Sequence, residues 1–175
     1  MDILKTATDW AKAELFSTPF FMCFGILFVA ASIGFWQLGK TDIARAYILP
    51  TLVAGVLLIT IGFGLYFTNK SRITQFETAH HTDPSAFITL ELERSESTLK
   101  EYKTIVFTVI PLIIIVAALL LIFINAPTWR AISITAIAMM TVILLIDGAA
   151  HARIDAYQKQ LLLVAEQGKK IKTLD

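Results

Sequence analysis

Asp147 is the first residue in this sequence whose type and position suggest chemistry. It ends a run of apolar residues, where an acid is costly and often functional. His151 and Asp155 follow at one-turn spacing, so all three share a helical face. A carboxylate and an imidazole so placed could share a proton or hold a cation, and imidazole titrates near neutrality. The plainer account is that Asp147 marks the lipid head groups, with Arg153 available as a salt-bridge partner. Asp147, His151 and Asp155 are therefore the proton or ion candidates.

A second cluster is Glu77-Thr-Ala-His80, with His81 and Asp83 beside it. Glu-x-x-His at i, i+3 is the spacing used in di-metal four-helix bundles. A full site of that kind needs a second Glu-x-x-His and two more carboxylates. The chain has no second copy, although Glu91, Glu93 and Glu96 could add oxygen ligands, or a homodimer could complete the set. Glu77, His80 and His81 are the metal candidates, and a polar helix tip is the alternative. Ser32, Thr60, Ser133, Thr135 and Thr141 lie inside apolar runs. Close helix packing is their default role, with small residues such as Ala131, Ala136 and Ala138 around the hydroxyls of the last run. A polar pore lining is the alternative.

Other chemistry is missing. There is no Gly-Lys-Ser/Thr phosphate loop and no Gly-x-Ser-x-Gly elbow. Gly62-Phe-Gly64 reads as a helix-end feature, and the single cysteine, Cys23, as an inert residue among apolar neighbours. No nucleophile–base constellation points to an enzyme, and no cofactor is expected. A net charge of +1, from 15 basic and 14 acidic residues, offers no field for nucleic acid.

The elements that position these residues follow from composition. Of 175 residues, 56% are hydrophobic and 17% charged, with a mean hydropathy of +0.69. Soluble domains are less apolar and more charged. Charge-free runs cover 15–39, 46–69, 104–129 and 131–146. A spanning helix needs about 20 mainly apolar residues. The first three are long enough, and the fourth spans if it continues through Gly148-Ala149-Ala150. None shows the alternation of a barrel strand. The expected fold is all-α and polytopic, with transmembrane helices at 16–39, 46–68, 104–125 and 130–150 in a single domain. Pro111 should kink the third.

Twelve of the 15 Lys and Arg residues flank one side of these spans, against Lys40, Arg45 and Arg130 on the other. Positive charge stays inside, so both termini are expected in the cytoplasm, in a bacterial inner (plasma) membrane. The first apolar run is too long for a signal-peptide core and is expected to be retained. Residues 1–15 read as an amphipathic helix lying in the interface, with Ile3, Leu4, Ala7, Trp10 and Ala11 on one side.

The inner segments carry further helical stripes. Tyr66, Asn69, Ile73, Phe76 and His80 follow spacings of three and four. Asp83-Pro84 should cap and open a new helix, with Ile88, Leu92, Ser95, Leu99, Tyr102 and Val106 as its stripe. Ala150, Ile154, Tyr157, Leu161 and Val164 form a third. These imply a cytoplasmic stalk: a helical hairpin at 69–103, a helix at 151–167, and a tail from Gly168 to the C-terminus (168–175). Arg-Ile-x-x-aromatic occurs twice after a span, at Arg72–Phe76 and Arg153–Tyr157, which hints at duplication. The expected function is a non-enzymatic membrane interaction subunit, with the lipid bilayer as partner and homo-oligomerisation through the last helix and stalk. The alternatives are an oligomeric channel with a pH-sensitive inner mouth at Asp147 and His151, and a metal-binding sensor.

Overall fold

In the computed structural model the backbone is described for residues 3–172 and the side chains for residues 3–167. The charge-free runs form helices because only a helix satisfies its own backbone groups within one segment. The order is α1 (Ile3–Leu38), a short α2 (Asp42–Ala46), α3 (Ile48–Thr82), α4 (Pro84–Glu101), a π-helical stretch (Tyr102–Val109), α5 (Ile110–Phe123) and α6 (Pro127–Lys172). No strand occurs among the described residues. Four helical stretches are long and apolar enough to cross a membrane: Ile3–Leu38, Asp42–Thr82, Pro84–Phe123 and Pro127–Gln167. Their outward residues suit lipid. Ile26, Leu27, Leu112 and Ile115 are each more than half exposed, and large contiguous apolar surface of this kind marks a membrane or partner interface.

Glycine sets the tightest contact in the apolar half. α1 and α3 run antiparallel and pack more extensively than any other pair. A Cβ on Gly25 would stand 2.8 Å from the Gly55 carbonyl oxygen, and one on Gly55 would stand 2.7 Å from that of Gly25. Only hydrogen lets the two backbones approach this closely. Ser32 Oγ donates to the Ile48 carbonyl at 2.7 Å and ties the far ends of the same pair. Gly62 faces Met22 inside this contact and is no helix end, because α3 continues to Thr82.

Asp83 opens α4 as the Asp-Pro pair predicts. Its carboxylate accepts from the Ser85 and Ala86 backbone N–H groups at 2.9 and 3.0 Å, and Pro84 occupies the first turn, where no N–H partner is needed. Pro111 is met by a change of helix type. It cannot donate to the carbonyl one turn back, and the chain ahead of it is π-helical, with Ile110 N–H bonded to the Ile105 carbonyl five residues earlier.

Two expectations need correcting. Residues up to 15 are not a separate interfacial helix, because α1 runs unbroken from Ile3 to Leu38. Ile3, Ala7, Trp10 and Ala11 bury their side in a core with Phe76, Phe87, Ile154, Tyr157 and Leu161. The polar end of the bundle is thus built from four helices rather than three. The last helix also continues through Gly168 to Lys172, so Gly168 does not end it; the rest of the expected tail, residues 173–175, lies outside the described ones. A lone glycine lowers helix stability by only about 1 kcal/mol, which does not stop a helix with packed residues before it.

Candidate functional site

Trp10 organises the polar end. It is 8% exposed and stacks on Tyr157 with ring centroids 5.2 Å apart and planes 10° from parallel. Phe76 lies against it at 6.5 Å. The Arg94 guanidinium sits 4.5 Å from the Trp10 ring centroid and that of Arg72 at 5.7 Å. Such cation–aromatic contacts favour a flat, delocalised guanidinium.

Two part-buried ion pairs flank this ring, one within α4 and one joining α1 to α6. Glu91 of α4 is 7% exposed. It accepts from Arg94 Nε at 2.9 Å, from Arg94 Nη2, and from the Tyr157 hydroxyl of α6 at 2.9 Å. Burial, with the Glu91 charge and hydrogen bond, pushes the Tyr157 hydroxyl well above its usual range. Glu14 of α1 accepts from Arg153 Nε at 2.8 Å and Nη2 at 3.2 Å, and the same Nη2 donates to Ser17 Oγ at 2.8 Å. Both copies of the Arg-Ile-x-x-aromatic pattern therefore converge on α1. Phe76 and Tyr157 flank Trp10, Arg72 lies over Trp10, and Arg153 holds Glu14.

Below this cluster, toward the apolar half, the helices part around a cavity of about 340 Å³. Trp10, Glu14, Asn69, Arg72, Arg94, Thr98, Glu101, Tyr102 and Asp147 supply its polar lining. Leu65, Ile105, Val106, Ala150 and Ile154 supply the apolar part. Arg94 and Glu14 bring charges already answered by Glu91 and Arg153. Arg72 donates to the Asn69 side-chain carbonyl at 3.1 Å and lies over the Trp10 ring, but forms no ion pair among the described residues. Burial, followed by the neighbouring Arg94, holds its pKa below the usual guanidinium value. Among the described residues, no side chain donates to Asp147. A guanidinium and a carboxylate, each without an ion-pair partner, thus face one cavity.

The sequence candidates separate. Asp147 lines the cavity with Ala150 and Ile154. His151 turns away and sits edge-on to Phe107 and Tyr102, at 5.0 and 5.8 Å between ring centroids. Asp155 pairs with Lys159 at 2.6 Å. Arg153, offered as a partner for Asp147, is taken by Glu14. The metal candidates do not converge. Glu77 and His81 are exposed, and His80 packs edge-on against Phe87 with its Nδ1 buried and unbonded. Glu91, a possible extra oxygen ligand, is used by Arg94 and Tyr157. Among the described residues, no three His, Cys, Asp or Glu side chains gather as a metal site. Of the embedded hydroxyls, those of Thr60 and Thr141 bond back to carbonyls of their own helices, while Ser133 and Thr135 are buried without a partner.

Trp10, Glu14, Arg72 and Arg94 belong to this cluster, although the sequence analysis does not single them out as site candidates. The available signal was the spacing 3-7-10-14, which carries the amphipathic stripe of α1 through a charged residue instead of ending before it. No protein family, curated protein or solved structure matches the chain.

Proposed function

We propose that this chain is a non-enzymatic integral membrane protein that works by binding an amphiphilic ligand in the cavity of its polar end. One observation carries the reading: Arg72 and Asp147 face the same cavity, and neither is paired with an opposite charge. A charge left without a partner in a half-buried site is costly, and a polar ligand relieves that cost. The cavity borders the apolar half, so a hydrocarbon chain has somewhere to lie. In this reading the polar end is cytoplasmic and both termini are inside, supported by the excess of Lys and Arg on that side.

The stalk stripe of the last helix gives self-association no exposed face. Ile154, Tyr157 and Leu161 are 1%, 2% and 0% exposed within one chain, so this stripe has no surface left for a second copy.

Native mass spectrometry of the detergent-released protein tests the proposal. A near-stoichiometric bound amphiphile is expected, and it should be lost when the cavity is filled by Thr98→Trp in a variant that still folds. Wild-type protein that retains no amphiphile from a total lipid extract would sink the reading.

A further inference from the structure

The charges around the cavity are unequal. Glu14 and Arg94 are neutralised by Arg153 and Glu91. What remains is one guanidinium, Arg72, against two carboxylates: Asp147 within and Glu101, exposed, at the rim. Arg72 and Asp147 form no salt bridge with each other, and the Glu14 carboxylate acts electrostatically on both. They therefore address two separate parts of a ligand rather than one.

From this arrangement, and resting on the reading of the cavity as a ligand site, we infer that the cavity selects a zwitterionic head group carrying a phosphate and a primary ammonium. The phosphate lies against Arg72. A guanidinium presents five N–H donors in a planar fork that matches phosphate oxygens, and Asn69 uses only one of them. The ammonium lies against Asp147, which has free acceptor oxygens for its N–H donors. A purely anionic head leaves Asp147 unpaired and adds negative charge near Glu101. A quaternary ammonium lacks the N–H groups that Asp147 can accept. The cavity also opens beside apolar residues that reach the outer surface: Leu65 is 38% exposed and Ile105 is 54% exposed. A ligand entering there comes from the bilayer, so the source is an ethanolamine phospholipid. A free phosphoethanolamine-type zwitterion shares the head chemistry and is separated by the test.

The test uses the full-length protein in detergent micelles, with native mass spectrometry and tryptophan quenching as readouts. Phosphatidylethanolamine, phosphatidylcholine, phosphatidylglycerol and soluble glycerophosphoethanolamine are the probes. Phosphatidylethanolamine should be preferred over phosphatidylglycerol by about tenfold, the worth of one charge-assisted hydrogen bond. Asp147→Asn should bring that preference close to parity, and Arg72→Gln should weaken all phosphate lipids together. Glu93→Gln, an exposed residue outside the cavity, should change neither. Thermal melts of each variant separate lost binding from lost folding. Phosphatidylglycerol or phosphatidylcholine binding as well as phosphatidylethanolamine overturns the head-group inference and leaves the ligand site standing. A preference unchanged in Asp147→Asn overturns it equally. Failure of every lipid to bind wild type overturns the ligand reading itself. Soluble glycerophosphoethanolamine binding as tightly as the lipid supports the head chemistry and assigns it to a free zwitterion.

Discussion

Glu91→Gln removes one charge from a carboxylate that joins Arg94 of its own helix to Tyr157 of α6. Glu91 is 7% exposed, and its carboxylate receives hydrogen bonds from Arg94 and from Tyr157. The amide has nearly the same shape, but one acceptor oxygen becomes an NH2 group that must face a donor. Breaking a buried pair by removing one partner costs about 3–5 kcal/mol. The Arg94 side chain is 23% exposed and rests on Trp10, so water and the ring soften the loss and about 3 kcal/mol is expected. Tyr157→Phe removes a single hydrogen bond to a charged group and should cost about 1.5 kcal/mol. Independent effects would sum to about 4.5 kcal/mol. Because the two share one bond, the double variant should cost about 3 kcal/mol, a coupling of about 1.5 kcal/mol. For a chain of 175 residues, Glu91→Gln should lower Tm by about 6–12 °C. Thermal unfolding in detergent, followed by circular dichroism, measures all three variants. A Glu91→Gln melt indistinguishable from wild type, or additive costs in the double variant, would refute the network.

Other perturbations read different parts of the fold. Gly55→Leu should separate α1 from α3, since even a Cβ would stand 2.7 Å from a backbone oxygen, whereas Gly64 has open space and Gly64→Ala should melt at or slightly above wild type; equal melts for the two would contradict the close approach. Trp10→Ala should destabilise by about 3–5 kcal/mol as a core truncation, and a cost below about 0.5 kcal/mol, usual for a surface site, would return the start of α1 to the lipid interface. The folded pKa of Tyr157 is raised, so its contribution is present below the unfolded value of about 10 and is lost as pH rises above it. Melts between pH 9 and 11 should fall, less steeply in Tyr157→Phe, and identical slopes would remove Tyr157 as the cause.

The spans were legible because a bilayer asks little of a sequence beyond length and the absence of charge. The stripes of α3 and α6 were legible too: Asn69, Phe76, Ala150, Ile154, Tyr157 and Leu161 are buried. On α4 the most buried side is Phe87, Glu91 and Ser95, with Ile88 and Leu92 half-buried beside it. A stripe does not say what covers it. The one on α6 suggests a stalk with α3 and α4 and a second copy of the chain, whereas α1 packs on it together with α3 and α4. A charge in an amphipathic stripe reads as its exposed edge, but Glu14 is 8% exposed because Arg153, 139 positions away, answers it. The Glu91–Tyr157 bond spans 66 positions. No local pattern reports such partners, and the candidate site consists mainly of them. Asp147 was found because its own position is unusual; Arg72 was not, because an arginine after a span is ordinary.

The cavity exists where the demands on the third apolar stretch conflict. Buried residues fix α4 through Phe87, Glu91 and Ser95, and fix α5 through Ile110 and Ala117. Between them Pro111 withholds an N–H and crowds the carbonyl of Phe107, four residues earlier. A π-helical stretch resolves this by widening the turn. The backbone bond from Ile110 reaches Ile105, and the Thr108 hydroxyl reaches the Lys103 carbonyl, each five residues back. Tyr102, Ile105 and Val106, three residues of that stretch, are also walls of the cavity. A widened turn places side chains where a regular helix would not, which is why π-helical segments recur at functional sites. On the opposite wall, α6 stays regular and carries Asp147, Ala150 and Ile154 in helical register. One irregular wall facing one regular wall leaves a gap at the level where apolar helix gives way to charged helix. A proline in an apolar run and an acid at the end of another are therefore two parts of one construction.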